Sequence, residues 1–168
     1  MTLNEYQQKT HETAVYPQEC AKEYLLLGLA GEVGEICNKY KKTIRDNKPI
    51  DDDDMISELG DVMWYVSELC NLYKLNFDKI MERATWRNLI NVNLNITKLI
   101  FNLVTYISKI LNKDSKVVIK HTFEYFSVDI LYIMKKFDIQ LHEVLSKNIA
   151  KLQDRKNRGV IKGSGDNR

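Results

Sequence analysis

Cysteine is scarce in this chain. The three thiols, Cys20, Cys37 and Cys70, are too few and too scattered for a disulfide framework or a zinc knuckle, and they read as reduced core thiols. Two prolines and seven glycines in 168 residues leave long stretches with nothing to break a helix. No run of about 18 apolar residues is present, so no segment is expected to span a membrane. The densest apolar stretch, Ile96 to Leu111, is interrupted by Thr97, Lys98, Asn102, Thr105, Ser108 and Lys109, the pattern of a buried helix. The first residues lack a hydrophobic signal core, and a cytoplasmic location is expected. A net charge of only +2 argues against a broad nucleic-acid surface, so neither nucleic acid nor membrane is expected as a partner.

What is present is helical periodicity. Apolar residues make up 44% of the chain and charged residues 29%, an ordinary globular balance. Leu26, Leu29, Val33, Ile36 and Tyr40 step by three and four. The pattern predicts helices over 3–13, 18–45 and 52–73, from about 76 past 81, and near 92–112, 116–136 and 140–156. The fold class is therefore all-α, a helical bundle. The acidic run Asp51 to Asp54 suits a helix N-terminus, where backbone N–H groups are unpaired.

The second half echoes the first. At an offset of 66, Val33, Cys37, Tyr40 and Ile44 fall on Leu99, Leu103, Tyr106 and Ile110. At an offset of 64, Leu59, Val62, Val66, Leu69, Cys70 and Tyr73 fall on Phe123, Phe126, Ile130, Ile133, Met134 and Phe137. The expected organisation is a first helical unit over 1–88, a second repeat over 89–156 packing on it, and a flexible basic tail over 157–168.

The chemistry is concentrated in two acidic pairs. Glu32 and Glu35 in Gly31-Glu-Val-Gly-Glu35 are three apart, so both share a helical face. Glu58 and Asp61 repeat that spacing on the next helix. The turn at 46–50 makes the two helices antiparallel neighbours, so the pairs can converge. Four crowded carboxylates repel unless a cation lies between them, and hard oxygen donors without His or Cys suit Mg²⁺, with Mn²⁺ as the alternative. Gly31, Gly34 and Gly60 each cost about 1 kcal/mol of helix propensity relative to Ala, which points to close approach of something to the backbone. A di-iron oxidase bundle would need Glu-x-x-His pairs, and none of His11, His121 and His142 lies three residues after a glutamate.

These motifs resemble the MazG-like all-α nucleoside triphosphate pyrophosphohydrolases. The resemblance rests on Gly31-Glu-Val-Gly-Glu35 and Glu58-Leu-Gly-Asp61-Val-Met-Trp-Tyr65. It extends to Leu3-Asn-Glu-Tyr-Gln7 and to the ending Lys151 through Arg168, and so covers about 1–86 and 147–168. It implies Mg²⁺-dependent hydrolysis of a (deoxy)nucleoside triphosphate to the monophosphate and pyrophosphate. Glu32, Glu35, Glu58 and Asp61 would be metal ligands, with Glu35 and Glu58 central to catalysis. Lys98, Phe101, Thr122 and Tyr125 occupy the corresponding positions of the second half and cannot ligate as carboxylates, so packing is their expected role.

Lys39, Lys42, Arg155, Arg158 and Arg168 are the candidate phosphate contacts, with Gly163-Ser164-Gly165 able to bend around an anion. Trp64 and Tyr65 are the candidate base contacts, and Tyr6 and Gln7 are weaker ones. A homodimer is expected. Narrower alternatives are a dUTP- or dCTP-restricted enzyme or a phosphoribosyl-ATP pyrophosphatase; a non-catalytic helical interaction protein is the alternative outside enzymes.

Overall fold

A computed structural model describes residues 1–88 and 94–160. Their regular structure is helical, with no strand among the described residues. The helices are α1 (Leu3–Glu12), α2 (Ala21–Asp46), α3 (Asp52–Leu72), α4 (Phe77–Asn88), α5 (Ile96–Leu111), α6 (Lys116–Lys136) and α7 (Leu141–Asn157). A short 3₁₀ turn, Gln18–Cys20, leads into α2, so the long helix begins three residues later than the periodicity predicts. The all-α expectation holds, and the observed boundaries follow cap chemistry.

Thr2 and Glu5 form a reciprocal capping box at α1, the Thr2 N–H donating to the Glu5 carboxylate at 2.7 Å. The Asp51 carboxylate accepts the Asp54 N–H at 3.1 Å, which gives the acidic run its helix-starting role. Asn47 ends α2 in the left-handed region, at φ 49°. The turns after α3 and α6 close alike. Lys74 and Asp138 both have positive φ, 52° and 56°. In both, the next residue donates back five positions, Leu75 to the Cys70 carbonyl at 2.8 Å and Ile139 to the Met134 carbonyl at 2.9 Å. Every one of these pairs is 64 residues apart.

Packing follows an exchange. α2 pairs with α3 and α5 with α6, each as a hairpin. α4 then packs on α6, and α7 packs on α3, while α2 and α5 touch each other. The last helix of each set of three thus lies on the middle helix of the other set. One continuous core results, from Leu25, Leu29, Val33 and Ile36 of α2 through Leu59, Met63 and Leu69 of α3 to Phe123 and Phe126 of α6.

Polar anchors fix α1. The fully buried Glu68 carboxylate accepts from Thr10 at 3.0 Å, Tyr16 at 2.9 Å and Asn71 at 2.7 Å, and meets the His11 ring at 3.2 Å. Gln7 donates to Asn71 and to the Leu75 carbonyl and accepts the Phe77 N–H. Gln7 is therefore a staple between α1 and the α3–α4 turn. Phe101 departs from expectation. It is 65% exposed, because the buried stripe of α5 runs through Leu99, Leu103, Ile107 and Ile110 on another face.

Candidate metal centre

The α2–α3 hairpin carries the acids on the flank of its apolar seam. Val33 and Ile36 are buried beside Glu32 and Glu35, as are Leu59 and Val62 beside Glu58 and Asp61. The seam fixes the register of the two helices, and the register brings the carboxylates together. Glu32, Glu58 and Asp61 offer oxygens that all lie within 4.8 Å of one another. Glu35 is more exposed and stands outside this trio, on the wall of the same cleft.

That cleft has a volume of about 540 Å³, and its lining is mostly polar. Lys39, Lys42, Lys151 and Arg155 line it, together with the four acids and Asp54. Lys39 Nζ meets Asp54 at 2.9 Å and Glu58 at 3.5 Å. Trp64 and Tyr65 line a smaller adjoining pocket, which shares Glu32, Asp61 and Arg155 with the main cleft. The Trp64 indole N–H donates to Thr13 at 3.0 Å, and its ring meets Tyr65 edge-on with centroids 4.9 Å apart. Arg158 lies elsewhere. It pairs with Asp154 one turn back at the end of α7 and is not among the residues lining the cleft. Arg168 and Gly163-Ser164-Gly165 lie outside the described residues.

The second half contributes to this cleft through α7. Lys151 Nζ contacts both Asp61 oxygens, at 2.8 and 2.7 Å, and Ser57 at 3.3 Å. Asn148 Nδ2 donates to Asp61 at 2.9 Å, and the buried Tyr6 hydroxyl donates to Asn148 Oδ1 at 2.9 Å. Tyr6 is thus a positioning residue below Asp61. Sequence reading missed Asn148 and named Lys151 only as the start of the family-like ending. The available signal was their spacing with Arg155: positions 148, 151 and 155 share one helical face.

Electrostatics follow from the crowding. Burial, then the charges of Asp61 and Glu58, push the Glu32 carboxyl up to about 7. Burial also raises Glu58, opposed by Lys39. The glycines divide by role. A side chain at Gly60 would strike Asn148 at 2.9 Å, and one at Gly28 would collide with the Tyr65 ring. Gly31 and Gly34 face open space, so close approach of protein does not explain them.

Comparison with known proteins bears on this geometry. A family model described as the MazG nucleotide pyrophosphohydrolase domain matches residues 21–87, the stretch holding both acidic pairs. The "Gene 37 protein" of Mycobacterium phage L5 is 30% identical over 178 aligned residues, covering 100% of both chains. The chain belongs to the MazG family. No solved structure matches. The MazG match ends at α4, while Asn148, Lys151 and Arg155 reach the acidic cleft from beyond it.

Proposed function

We propose that this chain hydrolyses a ribo- or deoxynucleoside triphosphate to the monophosphate and pyrophosphate, with Mg²⁺ or Mn²⁺ held by Glu32, Glu58 and Asp61 and with Glu35 on the wall beside them. The observation that carries this reading is the convergence of Glu32, Glu58 and Asp61 in a cleft that also presents Lys39, Lys42, Lys151 and Arg155. The donor set fits a hard divalent cation, since every ligand atom is a carboxylate oxygen. Crowding supports the same fit. The raised Glu32 marks a group short of positive charge, and the Lys151 ammonium against both Asp61 oxygens is a stand-in cation. When bound, the divalent ion supplies charge neutralisation for the triphosphate and acidifies water.

The protein's own groups do the rest. Asn148, held by Tyr6, fixes the Asp61 carboxylate in one orientation. Glu35, on the exposed wall of the cleft, orients the water that attacks the α-phosphorus and takes its proton. Lys39, Lys42, Lys151 and Arg155 bear the charge that develops on departing pyrophosphate. The pocket beside Trp64 and Tyr65 receives the base. Arg158 and Arg168, in or near the tail, remain candidates for an outer phosphate contact.

Residues 89–156 act as a degenerate copy of 1–88. The repeated turn geometry and the exchanged packing of α4 and α7 support this reading. The copy completes in one chain a bundle that a second subunit would otherwise supply, so a dimer is not needed to build the cleft. No described helix is long and apolar enough to cross a membrane; a cytoplasmic enzyme is the reading we adopt.

The test is pyrophosphate release from a panel of ribo- and deoxynucleoside triphosphates, with Mg²⁺ and with EDTA. Metal-dependent release from at least one triphosphate is expected. Absence of turnover across the panel, with no Mg²⁺-dependent stabilisation by a non-hydrolysable analogue, would favour a helical scaffold instead.

A further inference from the structure

The face of α6 that corresponds to the acidic cleft carries a cationic cluster with no part in the proposed chemistry. Glu124 is fully buried, and four basic side chains surround it. Arg83 and Arg87 of α4 approach at 3.4 and 3.3 Å, Lys120 at 4.0 Å and His121 at 3.1 Å. Three permanent cations against one carboxylate leave a surplus of positive charge. All of these basic side chains remain partly exposed. Arg87 also lies over the Tyr125 ring, 4.7 Å from its centroid, and Tyr125 is 50% exposed. The Arg87 Nη1 makes its ion pair but no hydrogen bond.

The correspondence at an offset of 64 gives the cluster its meaning. Arg87 stands where α7 has Lys151, and Tyr125 stands where α3 has Asp61. In the first site a cation on α7 faces a carboxylate. In the second a cation on α4 faces an aromatic ring. The carboxylates that call for a divalent ion are absent here, and fixed guanidinium and ammonium groups supply the positive charge directly.

We propose that the α4–α6 face binds a nucleoside phosphate without a divalent metal. Arg83, Arg87 and Lys120 take the phosphate oxygens, and Tyr125 stacks on the base. Glu124 is the positioning residue that holds the guanidinium groups toward the surface. The site does not hydrolyse, since its one carboxylate, Glu124, is fully buried and engaged by the basic side chains. This inference does not rest on the activity proposed above.

Calorimetric titration of dATP and of inorganic pyrophosphate into the full chain in EDTA tests it. One dATP per chain is expected for the wild type and for Glu58→Gln. The combined variant Arg83→Gln, Arg87→Gln, Glu124→Gln should lose at least about tenfold in affinity, equivalent to about 1.4 kcal/mol. Its third change removes the buried charge that the first two would leave unpaired. Tyr125→Ala and Lys120→Gln, both at the surface, carry the same test should that variant fail to fold. Tyr125→Ala should weaken dATP and leave pyrophosphate unchanged, which separates a nucleotide site from a bare phosphate site. No binding by the wild type in EDTA would overturn the proposal. So would binding that survives all these substitutions, since it would then belong to the acidic cleft. A dimer seen by sedimentation and broken by Tyr125→Ala would assign the face to a second copy instead.

Discussion

The α2–α3 and α5–α6 hairpins present different surfaces on the same scaffold. On α2–α3, acids crowd one cleft, and the second half lends it Asn148 and Lys151. On α5–α6, the equivalent positions are Lys98, Phe101, Thr122 and Tyr125, and the two acids of these helices, Glu124 and Asp129, are buried. The cores match far better than the surfaces, because Leu, Val, Ile and Phe exchange within a packed seam at modest cost. A ligand set has no such tolerance. In the duplication proposed above, the second half keeps the packing role without the ligands.

The largest expected effect breaks the comparison at its acids. Glu58→Gln and Asp61→Asn should each lower turnover by at least about 100-fold, the range for losing one key electrostatic group. Thr122→Ala and Tyr125→Ala at the corresponding positions should leave the rate in saturating substrate within about twofold. Steady-state pyrophosphate release reads both, and equal losses in the two halves would dissolve the distinction.

Next is the contribution of α7. Lys151→Met should reduce kcat/KM by about tenfold or more, corresponding to about 1.4 kcal/mol. Asn148→Ala should act in the same direction by freeing Asp61, and the matching Arg87→Met should leave kcat unchanged. A normal kcat/KM in Lys151→Met would confine the reaction to the first half.

The third effect is a pH dependence of the metal-free protein. Glu32 is raised from its ordinary 4.5 to about 7 by burial and by Asp61 and Glu58. The folded state thus keeps a proton that the unfolded chain gives up from about pH 4.5 upward. The associated stability is fully present below pH 4.5 and is lost as pH rises through 7. Glu32→Gln, which never ionises, should raise the melting temperature in EDTA at pH 8 and change it little at pH 4.5. A melting difference independent of pH would exclude this coupling.

The smallest effect is at Phe101. Phe101→Ala should change stability by no more than about 0.5 kcal/mol, as expected for an exposed site without special contacts. Chemical denaturation measures it. A loss of several kcal/mol would mean the ring is covered in solution.

The fold was legible because so little interrupts it. With two prolines and a clear three-four period, the helices of the described residues fall close to where the pattern puts them. The acidic cleft was legible because each acidic pair is local, three residues apart on one helix. Asn148 was not, because its contact with Asp61 spans 87 residues and depends on α7 lying against α3. Phe101 misled for a related reason: an aromatic among apolar neighbours reads as core until the buried stripe of its helix is fixed. Gly31 and Gly34 misled too, since a glycine cost shows that a side chain is absent, not what fills the space.

The proposed chemistry needs one metal centre in one half of the chain. Anomalous scattering from crystals equilibrated with Mn²⁺ locates the ion directly. Density is expected between Glu32, Glu58 and Asp61, and none at Thr122 and Tyr125. A wild-type crystal with Mn²⁺ bound among α5 and α6, or with none in the acidic cleft at millimolar concentration, would contradict that chemistry.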